Sequence, residues 1–159
     1  MSANSLQSLF KVNEVEIIYR NPTPIQDRIS IKQSSTAYQV FRQTWDENKI
    51  ELLEQFKILL IDRSSHCLGI SEIATGGMSA CVVDPRVIFA IALKTKSSGL
   101  ILAHNHPSGG LKPSEADLSM TNKLVKAGNL LDISIIDHLI VTTQDYYSFS
   151  DNGIMPKPS

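Results

Sequence analysis

Leu100-Ile101-Leu102-Ala103-His104-Asn105-His106-Pro107-Ser108-Gly109-Gly110-Leu111-Lys112-Pro113-Ser114-Glu115-Ala116-Asp117 is the stretch on which the fold turns. Four apolar residues in a row, preceded by Ser97-Ser98-Gly99, read as a short strand buried on both faces. The strand runs straight into His104. Residues 105–113 carry two prolines and two glycines, which sets an ordered loop. Ser114 then reads as a helix N-cap. Asp117 stands three residues on, at capping-box spacing with Asp in place of Glu.

Outward from this unit, strands and helices alternate. The helix begun at Ser114 is expected to reach about Leu131. Ile133 to Thr142 reads as the next strand, Tyr146 to Phe149 as a last short one, and Met155 to Ser159 as a loose tail. Upstream, Asp84 is an N-cap with Pro85 at the first helical position, and that helix runs to about Lys96. Phe56 to Ile61 is a nearly continuous apolar run closed by Asp62-Arg63-Ser64-Ser65. It reads as a buried strand and a turn, with Cys67 to Ile73 as the return strand and Cys81-Val82-Val83 extended beyond a Thr75-Gly76-Gly77 loop. Ser34 and Ser35 open a helix carrying Tyr38, Val40, Phe41 and Trp45, and a second short helix is expected over residues 47–54. Residues 28–32 and 15–19 read as strands, separated by the breaker Asn21-Pro22-Thr23-Pro24. The class is α/β or a mixed-sheet α+β. The chain divides into an arm with short strands over residues 1–35 and a single domain over 36–159.

Composition narrows the function. The chain has 159 residues, 42% of them hydrophobic, and a formal net charge of -1 from 15 basic and 16 acidic residues. A protein that grips a phosphate backbone usually carries a basic excess, and this one does not. Two cysteines, Cys67 and Cys81, make neither a disulfide framework nor a four-thiolate zinc site, and both lie in apolar surroundings that suit buried free thiols. No signal peptide is evident, and no apolar run approaches a membrane span. A cytoplasmic chain with no membrane partner is the expectation.

The chemistry lies in H-x-H, seven residues, S-x-x-D. Histidines at i and i+2 of an extended segment point to the same side, so His104 and His106 can reach one ion while Asn105 points away. Asp117, from the first turn of the following helix, can supply a third ligand. Two imidazoles and one carboxylate leave a position open, which is a catalytic zinc arrangement. Bound Zn²⁺ makes hydroxide available near neutral pH. Ser114, one helical turn before Asp117, can donate its hydroxyl to a developing oxyanion. His138, inside an apolar strand, reads as a hydrogen-bonded core histidine, with support of the metal ligands from behind as the alternative. His66 reads as a surface residue and Ser108 as a turn residue.

These residues resemble the JAB/MPN superfamily of zinc metalloproteins, whose JAMM motif is an upstream Glu followed by H-x-H-x7-S-x-x-D. Ala103-His104-Asn105-His106-Pro107-Ser108-Gly109 with Pro113-Ser114 is similar to the bacterial RadC-like branch, as are Asp84-Pro85-Arg86, Asp137-His138-Leu139-Ile140 and Tyr147-Ser148-Phe149. The resemblance spans roughly residues 36–150. It implies an α/β/α sandwich around a curved mixed sheet, similar to the cytidine deaminase fold. It also implies a general base, a Glu just before the first apolar strand of the domain. Glu54, ahead of Gln55-Phe56-Lys57-Ile58-Leu59-Leu60, fits that context, with Glu51 and Glu72 as alternatives.

The resemblance implies a zinc-dependent hydrolase of a peptide or isopeptide bond, with an unidentified peptide or protein as substrate. His104, His106 and Asp117 would hold Zn²⁺, Glu54 would carry the proton and Ser114 would support the oxyanion. The alternatives are a DNA-repair-associated role and a non-catalytic protein-binding module. About 35 residues precede the domain and read as strands, so the helix-hairpin-helix region that many RadC-like chains carry is not expected. Together with the near-zero charge, this weighs against nucleic acid as a partner. A nucleobase deaminase is disfavoured, because no H-x-E precedes a P-C-x-x-C. The arm could pair with the sheet, cover the site or make a homo-oligomer.

Overall fold

The computed structural model describes residues 14–78 and 80–157. Its centre is a mixed five-stranded sheet in the order β2-β1-β3-β4-β5, built from β1 (Gln55–Ile61), β2 (Cys67–Thr75), β3 (Gly99–Asn105), β4 (Ser134–Val141) and β5 (Tyr146–Ser148). β1 is antiparallel to both β2 and β3, β3 is parallel to β4, and β5 returns antiparallel to β4. Every residue of β1 and of β3 is buried, in keeping with their largely apolar runs, and the polar Gln55, Lys57, His104 and Asn105 are buried with them.

Helices cover both faces. α1 (Ser34–Thr44) lies on one, where Ala37, Phe41 and Trp45 pack with Leu59, Ile61, Ile101, Ala103, Leu139 and Val141. α2 (Pro85–Lys94) and α3 (Glu115–Leu130) lie on the other, where Ile88, Ala92 and Leu124 pack with Ile58, Leu60, Leu100 and Leu102. Successive residues of β1 and β3 therefore feed alternate cores. This alternation puts Leu102 and His104 on the α2/α3 side, and Ala103 and Asn105 on the α1 side. The α/β/α sandwich around a mixed sheet is present as expected.

The caps behave as their residue types dictate. Asp84 accepts a hydrogen bond from the Arg86 backbone N–H at 2.9 Å, and Pro85 opens α2. Ser114 caps α3 in a full capping box with Asp117.

Three local expectations fail. Residues 15–19 form no strand, and Val15 and Ile17 are 90% and 79% exposed. Strand-like composition alone does not make a strand when no neighbouring backbone takes up its N–H and C=O groups. Of residues 28–32 only Ser30 pairs, in an isolated bridge to His66, although Ile31 does reach the core. Residues 47–53 make successive turns in place of a helix. Glu54 sends its N–H to Gly77 O, so the ladder is not continued.

Two smaller expectations are adjusted. His66 is half-buried, with Nδ1 3.4 Å from Asp62 Oδ2, so it is not a surface residue. Cys67 and Cys81 are free but only half-buried, and burial pushes both thiols up in pKa. Among the described residues no helix is long and apolar enough to cross a membrane.

Candidate metal centre

The end of β3 and the start of α3 meet at the mouth of the α2/α3 face. His104 Nε2 and His106 Nε2 lie 3.0 Å apart. Asp117 Oδ1 is 3.2 Å from His104 Nε2, and Oδ2 is 3.6 Å from His106 Nε2. Ligands on arms of about 2 Å around one tetrahedral ion stand about 3.3 Å apart, so these donor atoms lie close enough together to share a metal ion. Their chemistry fits as well: two imidazoles and one carboxylate converge, and among the described residues no fourth His, Cys, Asp or Glu donor joins them. The three expected ligands are thus brought together as a group able to hold a metal ion.

Each ligand is held from behind. His106 Nδ1 is 2.8 Å from Gly110 O, so its Nδ1–H donates there and Nε2 keeps its lone pair. His104 Nδ1 is 2.8 Å from His138 Nε2, and His138 Nδ1 is 2.7 Å from Thr121 Oγ1. The Thr121 hydroxyl in turn donates to Asp117 O at 2.6 Å. One proton assignment satisfies the whole chain: His104 donates to His138, His138 to Thr121, and Thr121 to the carbonyl of the carboxylate ligand. His138 must be neutral for this. Burial, reinforced by the neighbouring His104, pushes its pKa well down.

Asp117 is oriented by its cap. The Ser114 N–H donates to Asp117 Oδ2 at 2.8 Å, and the Asp117 N–H donates to Ser114 Oγ at 3.1 Å. Burial opposes ionisation of Asp117, but the adjoining His104 and His106 rings, with the Ser114 backbone N–H, outweigh it and hold the carboxyl far below the usual range. The capping box therefore does two jobs, ending the helix and aiming a ligand.

A cavity of about 380 Å³ opens over the group, and Glu54 and Ser114 both line it. Glu54 lies close enough for its charge to help raise the His106 pKa, after the larger effect of the Asp117 hydrogen bond. The other two candidate glutamates lie elsewhere. Glu51 is exposed and accepts a 3.4 Å bond from Thr143 Oγ1. Glu72 pairs in register with Lys57, on the opposite face of the sheet, and accepts a 2.6 Å bond from Thr75 Oγ1.

Asn105 is not a ligand, in keeping with its orientation, but it is far from idle. Fully buried on the α1 side, it accepts from Gln55 N–H at 2.7 Å and donates to Ile50 O at 2.6 Å and Leu53 O at 2.8 Å. These bonds bracket Glu54. The Glu54 backbone is further tied to Gly77 O at 3.1 Å and Gly76 N–H at 2.8 Å. The strand that carries His104 and leads into His106 thus also anchors the segment carrying the carboxylate.

Sequence reasoning missed Asn105 as an anchor and Thr121 altogether, and for His138 it favoured a core role over support of the ligands, whereas the ring stands directly behind His104. Thr121 had one visible signal, its place one helical turn after Asp117. For Asn105 the signal was the alternation that excluded it as a ligand, since an Asn forced into the core must find partners there.

Comparison with known proteins agrees with this geometry. A family model described as RadC-like JAB domain matches residues 31–154. The chain is similar to a UPF0758 protein of Flavobacterium johnsoniae, 45% identical over 101 residues, which are 64% of this chain and 44% of that protein. It is also similar to UPF0758 proteins of Protochlamydia amoebophila, 37% identical over 133 residues (84% of this chain, 56% of that one), and of Syntrophomonas wolfei, 33% identical over 132 residues (82% and 56%). The chain spans about half the length of the curated relatives it matches.

Proposed function

The chain belongs to the RadC-like JAB domain family, and from that premise and the side chains around its metal group we propose that it is a zinc-dependent hydrolase of peptide or isopeptide bonds. The observation that carries the reading is the convergence of His104, His106 and Asp117 on the floor of a cavity that Glu54 and Ser114 also line. Zn²⁺ held by the three ligands would supply Lewis acidity, lowering the pKa of water and polarising a carbonyl.

The remaining chemistry falls to the protein. Among the described residues the Glu54 carboxylate has no hydrogen-bonding side chain to hold it, so it is free to accept a proton from the attacking water and return it to the leaving amine. Ser114 Oγ uses a lone pair in the capping box, which leaves its proton to donate to the developing oxyanion. His138 and Thr121 keep His104 in the tautomer whose Nε2 is a ligand.

The deciding experiment is Glu54→Gln in the zinc-loaded chain, assayed against a fluorogenic peptide library with metal analysis in parallel. One metal per chain should remain, and turnover should fall by about a hundredfold or more. Unchanged turnover would remove Glu54 from the mechanism. If the unaltered zinc-loaded chain cleaves nothing in the library or in isopeptide-linked substrates, the hydrolase reading falls.

A further inference from the structure

Besides the candidate ligands and a few polar groups, the cavity is lined by apolar side chains. Cys81 and Val83, on the extended segment before α2, and Met120, on α3, line it while packing against the α2/α3 core. Ala116 continues this wall, and Met78 stands at the rim, 75% exposed. The wall is therefore an outcrop of a packed core. It keeps its shape without a ligand, and its methionine can adapt to the group it meets.

Charge points the same way. No Lys or Arg lines the cavity among the described residues. Its two carboxylates, Glu54 and Asp117, balance the charge of one divalent ion. A charged substrate side chain would find no counter-charge there and would still lose its hydration, whereas an apolar one would gain by leaving water.

We propose that the cavity selects its substrate by an apolar side chain on the residue flanking the scissile amide, seated against Cys81, Val83 and Met120. The substrate class is thus a peptide with an aliphatic residue at the cleavage point, as distinct from one with an acidic or basic residue there. This inference rests on the hydrolase reading for the word scissile. The side-chain preference itself belongs to the cavity and can be measured without catalysis.

The test uses N-acetyl-aminoacyl hydroxamates, which share one metal-chelating group and differ only in side chain. Leucine, glycine, aspartate and lysine hydroxamates are titrated calorimetrically into the full chain, with one zinc per chain verified. The leucine compound should bind about tenfold or more tighter than the glycine compound, as burial of a few methylenes predicts, with aspartate and lysine no tighter than glycine. Val83→Thr, nearly the same shape but polar, should reduce the ratio of leucine to glycine affinity severalfold. Four affinities within twofold of one another, a tightest aspartate or lysine compound, or no binding at all would overturn the proposal. A leucine preference without any peptide cleavage would uphold the cavity and reject the hydrolase reading. Cleavage without the preference would do the reverse.

Discussion

The two ends of the central sheet handle their polar groups in opposite ways. At the end where β3 finishes, polar side chains reach across the fold. His104 meets His138 from β4, and Asn105 meets the segment before β1. At the far end, where β1 finishes and β3 and β4 begin, side-chain hydrogen bonds close mostly within a few residues, with Ser98 Oγ to Ile61 O and the Arg28–Asp62 pair as longer-range exceptions. Asp62 Oδ1 accepts from the backbone N–H of Ser64 at 2.8 Å and of His66 at 2.9 Å, and Thr95 Oγ1 lies 2.9 Å from Ser97 Oγ. The far end also holds, among the described residues, the three non-glycine residues with left-handed backbone, Ser65, Lys96 and Asp132, at its tight connections. Local satisfaction shapes turns. Long-range satisfaction places side chains from distant parts of the chain within ångströms of one another, which is what a reaction site requires.

The largest test of this contrast is His104→Ala. It removes a metal ligand and strips His138 Nε2 of its partner inside the core. The chain should lose stoichiometric metal, together with about 4 kcal/mol of stability once the ion's binding and the orphaned nitrogen are both counted. Metal analysis and thermal unfolding with and without chelator check it. A variant that still holds one zinc and still responds to chelator would show that the histidine pair is not the binding group.

Asn105→Ala should come next. It leaves the Gln55 N–H and two carbonyls unpaired, at a cost of about 3 kcal/mol. Metal content should hold, while amide exchange across residues 50–55 accelerates and turnover drops, because Glu54 is no longer fixed relative to the ligands. Normal exchange in that segment would mean that the asparagine is a packing residue alone. Thr121→Val is subtler. Its shape is kept and one hydroxyl is lost, so about 1–2 kcal/mol of stability and roughly tenfold in metal affinity are expected to go. Metal affinity equal to that of the unaltered chain would cut Thr121 out of the ligand support.

The same contrast explains what could be read from the chain before its structure. β1 and β3 declared themselves as apolar runs, α2 by Asp84-Pro85, and α3 by Ser114 with Asp117. All of these are signals within one turn or one strand. The donors His104, His106 and Asp117 were legible for the same reason, since i,i+2 on a strand and the first turn of a helix are local geometry. The His104–His138 contact depends on the parallel register that sets Leu102 beside His138. No periodicity reports that register. Nor could the strand-like composition of residues 15–19 show that no partner strand lies beside it. Most of the fold's elements and the grouping of the three candidate donors were thus open to reading, whereas the supporting network depended on tertiary pairing.

Asp62→Asn gives the smallest expected effect and the sharpest control, because it sits at the end where polar groups are mostly satisfied locally. Burial opposes ionisation of Asp62, but the backbone N–H groups of His66 and Ser64, together with the His66 charge, hold its pKa below the ordinary carboxylate value. A depressed folded pKa means that the ionised group favours the native state above the unfolded pKa of about 3.9. That contribution is lost as pH falls through the folded value. The carboxylate is partly exposed and its ion pairs are screened, so the difference between the two chains should stay under about 1 kcal/mol at pH 7. Denaturant unfolding of metal-free protein, so that ligand protonation does not intrude, should show the gap shrinking toward zero below pH 3.9. Metal affinity should be unchanged throughout, since no bond of this turn reaches the ligands. A gap that persists in acid would remove the ionised cap as its source, and a loss of metal affinity would show that the two ends of the sheet are coupled.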